Sequence, residues 1–164
     1  MEGSVTVLPE AGCQRRRFCG LLLIPFFSAC KARTMRTQIN VSLFNYLDRP
    51  IFDVMMNGEH FMSAAAHGFY GANAVLAMQE ITLGRQVVNW KLDGPEQMSG
   101  NGDLITARNV PVITEIAERM KWLGLHIYPD YTVEIKLSTG TPDELQTERG
   151  MMIIRTWEGR QNGS

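Results

Sequence analysis

The stretch Ile51-Phe52-Asp53-Val54-Met55-Met56-Asn57-Gly58 decides the fold. Its first six residues form a strand-like apolar run, and Asn57-Gly58 is the pair that best tolerates positive φ at both centres of a tight hairpin turn. A chain that reverses there pairs antiparallel with the residues after the turn. Upstream, Ile39, Val41, Leu43 and Asn45 alternate with Asn40, Ser42, Phe44 and Tyr46, the period of two that a strand imposes on its faces. Leu47-Asp48-Arg49-Pro50 separates the two runs as a turn, because Asp bonds nearby backbone and Pro presets φ.

Downstream, residues 63–71 are small and glycine-flanked and read as a loop. Val75, Ala77, Gln79, Ile81 and Leu83 then mark a strand that Gly84-Arg85 ends. Residues 86–92 form another, with Val87, Asn89 and Lys91 on one face and Val88, Trp90 and Leu92 on the other. Glycine, proline and asparagine punctuate residues 93–103, which predicts a long exposed loop. The period changes over residues 111–123, where Ile113, Ile116, Ala117, Met120 and Leu123 recur at helical spacing, Thr114 and Glu115 favour a start and Gly124 suits a C-cap. Leu125 to Tyr128, the turn at Pro129-Asp130 and Tyr131 to Leu137 form a second hairpin-like unit, and Met151 to Trp157 read as a last strand. The expectation is a mainly β fold, an antiparallel β-sandwich of about seven strands with one inserted α-helix at residues 111–123.

The front of the chain has a different grammar. Gln14-Arg15-Arg16-Arg17 runs into an apolar stretch from Phe18 to Ala29 that stops at Cys30. A spanning helix needs about 20 apolar residues, and this run is shorter and contains Pro25. A basic flank, a short apolar core and small residues describe an export signal. Phe27-Ser28-Ala29-Cys30 resembles the bacterial lipobox, whose cysteine is acylated and becomes the mature N-terminus, with Phe27 standing where leucine is usual. The organisation expected is a lipoprotein signal peptide at residues 1–29, acylated Cys30 and a tether to residue 38, one sandwich domain at 39–157 and a tail at 158–164. Such a protein faces the periplasm from the bacterial cell envelope, anchored in the outer membrane.

Taking Glu2, Glu10, Arg15, Arg16 and Arg17 away with the leader leaves 13 basic and 15 acidic side chains. Nothing in that balance points to nucleic acid. Lys31, Arg33 and Arg36 read either as a solvated tether or as contacts to anionic headgroups. Cys13 and Cys19 lie in the leader, so the mature domain forms no disulfide and holds no cysteine-ligated zinc.

Sequence patterns for chemistry are sparse. There is no nucleophile elbow, phosphate loop or His-Glu-x-x-His pair. His60 and His67 lack an evident third metal ligand, His126 sits in a strand pattern, and Asp93, Asn101 and Asp103 miss the spacing of a calcium loop. Ser63 or Ser99 would need a distant histidine to act as nucleophile. The chain reads as a non-enzyme without metal or cofactor. Met55-Met56, Phe61-Met62 and Phe69-Tyr70 either tuck into the fold or form an adaptable patch for a protein partner.

Asn45-Tyr46-Leu47-Asp48-Arg49-Pro50-Ile51, Val54 with Asn57-Gly58, Ile81-Thr82-Leu83-Gly84, Trp90, and His126-Ile127-Tyr128-Pro129-Asp130 with Val133-Glu134 resemble a family of small proteobacterial lipoproteins catalogued as a domain of unknown function. The likeness runs from about Asn40 to Leu137. Members of that family are encoded beside type VI secretion lipase effectors and act as their immunity proteins, which implies the same role here. The partner would be a secreted lipase, met by Met55, Met56, Phe61 and Met62 of the hairpin and Asp93, Glu96, Asn101 and Asp103 of the long loop. The other function class is an envelope lipoprotein with a structural or small-ligand-binding role.

Overall fold

Alternating apolar residues do build strands here, ten in all among the described residues. The computed structural model describes residues 36–67 and 73–162, with the side chains of 161 and 162 excepted. The leader, Cys30, Lys31, Arg33, Phe69 and Tyr70 lie outside them. In chain order the strands are β1 (Arg36–Asn45), β2 (Ile51–Met56), β3 (Glu59–Ala64), β4 (Asn73–Thr82), β5 (Gly84–Arg85), β6 (Val88–Leu92), β7 (Leu104–Thr106), β8 (Val112–Ile113), β9 (Trp122–Ile127) and β10 (Val133–Ser138). A single 3₁₀ turn (Glu144–Gln146) then leads into helix α1 (Glu148–Asn162).

Two four-stranded sheets carry the fold. The first runs β10-β9-β1-β4, the second β3-β2-β6-β7, and β5 pairs with β8 as a short ribbon. The fold is mainly β, as expected. One pairing departs from the antiparallel expectation, since β1 lies parallel to β9 with Asn40 opposite Trp122 and Asn45 opposite Ile127. The second sheet and its connections intervene between these strands, a crossover long enough for parallel pairing.

Ile39, Val41 and Leu43 of β1 and Leu123, Leu125 and Ile127 of β9 share one core with Ile51, Val54, Val88 and Trp90 of the second sheet. The opposite face of the first sheet carries Phe44, Tyr46 and Tyr128, which pack against Ile153 of α1. The first sheet therefore lies between the second sheet and the helix. That is why β1 is buried on both faces from Val41 onward, although its sequence alternates.

The Asn57-Gly58 turn forms as predicted, with φ of 54° and 85°, and Met56 opposes Glu59 across it. Asp53, at φ 48°, sits where the register shifts on both sides of β2, so Ile51, Val54 and Met56 all point inward. A second irregularity, at Met78 with φ 56°, is bridged by the Asn40 side chain, whose Oδ1 accepts from the Met78 amide at 3.1 Å.

Two element assignments are corrected. Residues 111–123 form no helix. Val112 and Ile113 pair with Arg85 and Gly84, a turn follows at Glu118 and Arg119, and Trp122 opens β9. The apolar spacing was real, because Ile113 and Leu123 are buried and Ile116 and Met120 pack on the core. The backbone is claimed by neighbours instead: the Gln86 amide donates to Pro111 O, the Asn40 amide to Lys121 O and the Lys121 amide to Ser138 O. Conversely, the stretch read as a last strand is helical, and α1 extends to Asn162 through most of the expected tail. Thr147 accepts from the Gly150 amide at 2.9 Å and caps the helix, a Thr-Glu start signal that the β-branched run hid.

Helix α1 approaches the first sheet at Gly150. A Cβ there would meet Glu144 O, the Tyr46 hydroxyl at 2.6 Å and Thr147 Oγ1 at 2.8 Å. Alanine in an open helix interior stabilises by about 1 kcal/mol over glycine. At this contact Gly150→Ala is expected to destabilise instead, by about 1–3 kcal/mol from overpacking. Urea unfolding of the two proteins checks the sign.

Candidate interaction surface

The turn between β1 and β2 positions the long loop. Buried Asn45 donates through Nδ2 to Arg49 O (2.9 Å) and Ala65 O (2.7 Å) and accepts from the Leu47 amide through Oδ1. This fixes the backbone that presents Arg49. The Arg49 guanidinium then donates to Asp93 O at 2.9 Å, Ser99 O at 3.1 Å and Asn101 Oδ1 at 2.6 Å. Asn101 closes the loop on itself by donating to Gly94 O and Pro95 O. Residues 93–103 are thus an ordered β6–β7 connection clamped at one side chain.

Asp93, Glu96 and Asp103 are exposed on this loop, with one Asp93 oxygen accepting from the Gly94 amide. Asn101, although exposed, spends both ends of its amide on the loop's interior. The loop therefore offers its carboxylates on a preformed frame. Preorganisation of this kind lowers the ordering cost of a contact.

The hairpin residues divide. Met56 and Phe61 are core residues, 3% and 8% exposed, and Met62 packs against the same core. Met56, which the bulge at Asp53 turns inward, and Phe61 are closed to a partner, whereas Met62 is half-buried. Met55 is half-buried and aligned with His60 and Asn89 across the strands. Beside it, Phe52 pairs with Lys91, which pairs with Leu104, 58% exposed. Lys91 lies 5.5 Å from the Phe52 ring centre and 2.8 Å from Asp53, whose carboxyl its hydrogen bond holds below the ordinary 3.8. The outer face of the second sheet therefore joins Met55, Phe52 and Leu104 to the loop. Phe52 and Leu104 were missed; the alternation of Phe52 with buried Ile51 was the available signal.

A buried polar cluster lies elsewhere, under the 3₁₀ turn on the first sheet. His126 is fully buried and stacks on Phe44 at 4.6 Å between ring centres. The Tyr46 hydroxyl donates to Glu144 O at 2.9 Å and meets His126 Nδ1 at 3.0 Å, while the Gln146 side-chain amide lies 3.2 Å from Nε2. Gly124 makes room, since a Cβ there would strike Gln146. Tyr128 donates to Thr147 Oγ1 (2.8 Å) or Glu134 (3.0 Å), and Arg149 lies over its ring while pairing with Asp130. Both nitrogens of His126 are engaged and no face of its ring is open. The cluster fastens the C-terminal segment to the sheet.

Burial is the main cause that pushes His126 below its ordinary 6.5, and it raises Tyr128 to about 12 and Tyr46 further. At Asp130 burial works upward, but bonds from Thr132 and Arg149 outweigh it and bring the carboxyl to about 2. His67, also lowered by burial, packs against Tyr46 and Trp157 rather than meeting His60. Among the described residues, no three His, Cys, Asp or Glu side chains gather as a metal site. Set against known proteins, the chain matches no family model, no curated protein and no solved structure.

The clamp and the buried histidine each lend themselves to measurement. Arg49→Ala is expected to speed amide exchange across residues 93–103 by about tenfold or more while the core strands keep their protection, as local opening separates from global unfolding. For His126, the unfolded chain binds a proton near 6.5 and the folded chain resists it. Stability is then greatest above that pH and falls as the pH drops below it, by at most about 1.4 kcal/mol per unit from this residue. Thermal unfolding between pH 7 and 5 should show a shallower slope in His126→Gln.

Proposed function

We propose that the protein is an envelope lipoprotein that binds and sterically inhibits a cognate type VI secretion phospholipase, acting as its immunity protein. The observation that carries the reading is the front segment, in which three arginines, a short apolar run and Ser28-Ala29 precede Cys30. The ordered motifs from Asn45 to Glu134 that resemble lipase immunity lipoproteins support it.

The mechanism rests on where such a toxin works. A phospholipase in the periplasm attacks membrane lipid from that side, so its inhibitor is useful only there and near that membrane. An acylated Cys30 would supply both conditions, each buried methylene contributing about 0.8 kcal/mol and more than one chain making attachment stable. Inhibition by covering a lipase mouth or holding its lid calls for a rigid surface and no nucleophile. Buried area on the order of 1,600 Å² suffices for a stable complex of this kind. Asp93, Glu96 and Asp103 on the clamped loop, with Met55, Phe52 and Leu104 beside it, are the surface assigned to the contact.

Expression in a sensitive bacterium that also receives the cognate lipase in its periplasm tests the role. Cells carrying the full chain are expected to survive. Cys30→Ala should abolish incorporation of labelled palmitate and weaken protection, and replacing residues 93–103 by a Gly-Ser linker should weaken lipase binding by about tenfold or more with the fold retained. Death of cells that display the full-length protein would sink the immunity role, and palmitate labelling that persists without Cys30 would sink the anchor.

A further inference from the structure

A second surface is built on the opposite side of the first sheet. A groove of about 510 Å³ opens between β4 and the segment leading into α1. Its walls include Phe44, Val75, Pro142, Leu145 and Ile154, and Val75 and Leu145 are 60% and 53% exposed. Ser42 lies on its lining, 2% exposed, and its hydroxyl has no hydrogen-bond partner. Three carboxylates, of Asp143, Glu144 and Glu158, stand around it, and among the described residues that line it none is basic. β4 is also the last strand of its sheet, so its outward backbone groups have no strand partner among the described residues.

We infer that this groove receives an extended segment of a protein partner that carries apolar side chains flanked by lysine or arginine. Each feature asks for one part of such a segment. The walls take apolar side chains, the carboxylates attract a basic group, and the buried hydroxyl needs a backbone amide or carbonyl, since an unpartnered hydroxyl out of water is costly. The open edge of β4 can pair with the same backbone in the manner of strand addition. A hydrocarbon tail would match the walls alone, and a fatty acid would bring its carboxylate against the acidic rim. The assignment does not depend on the partner being a lipase.

Fluorescence anisotropy of the full chain with two labelled hexapeptides tests it, one alternating leucine with lysine and one alternating leucine with glutamate. The leucine–lysine peptide is expected to bind at least about tenfold more tightly. Val75→Asp and Glu158→Lys, both at exposed positions, should each weaken it by about fivefold or more. Ser42→Ala should also weaken it while leaving the thermal midpoint unchanged or higher, because an unsatisfied buried hydroxyl is removed. The assignment is overturned by absence of binding, by equal binding of the two peptides, or by binding that survives both surface changes. Displacement of the peptide by phosphatidylethanolamine vesicles would give the groove to a membrane, and a dimer that Val75→Asp dissolves would give it to a second copy; either result also overturns it.

Discussion

The structure depends on burying β1 from both sides. Its inner residues, Ile39, Val41 and Leu43, meet the second sheet, and its outer residue Phe44, with Tyr46 just past its end, meets the helix. A strand with no solvent face must have every backbone group paired. β1 is paired by β4 along one edge and β9 along the other, the latter parallel. On the outer face Tyr46, His126 and Tyr128 are joined with Gln146 and Thr147 in hydrogen bonds, while the Ser42 hydroxyl is left without a partner. Glycines at positions 124 and 150 bring the covering segment within reach of that network.

This arrangement separates support from surface. Chemistry-bearing residues such as His126 and Tyr46 are locked inside, where they fasten the C-terminal segment to the sheet. The groups left facing solvent are of a different kind: a clamped acidic loop beside a mixed apolar face, and an apolar groove with an acidic rim. Arg49 shows how small the link is, since one side chain from the first turn of the domain orders a loop that begins at Asp93, far along the chain.

Much of the fold was legible wherever a local rule had no competitor. Asn57-Gly58 has few conformations other than a tight hairpin turn, and the alternation around Ile39, Val75 and Val88 needed only a sheet to satisfy it. The loop at 93–103 was readable from its turn residues, and so was its exposure. Where local and tertiary preferences diverge, reading failed in both directions. Ile113, Ile116, Met120 and Leu123 meet the core at helical spacing while the backbone of their segment, at Pro111 and Lys121, bonds to Gln86, Asn40 and Ser138, partners that only the assembled sheets supply. Met151 to Trp157 look strand-like by β-branching, yet the free place beside the first sheet is over its face, where a helix fits.

The candidate surface divides along the same line. Exposure of Asp93, Glu96 and Asp103 is dictated by sequence because charged residues among glycines stay in water. The inward turn of Met56 and Phe61 is not, because a single bulge at Asp53 resets which residues face the core. What the amino-acid order determined alone was the strand-rich character, the main turns and the absence of a disulfide in the region after Cys30. Tertiary structure alone decided the parallel pairing of β1 with β9, the helix that covers them and the Arg49 clamp, because each rests on contacts between residues far apart in the chain, where no local propensity can act.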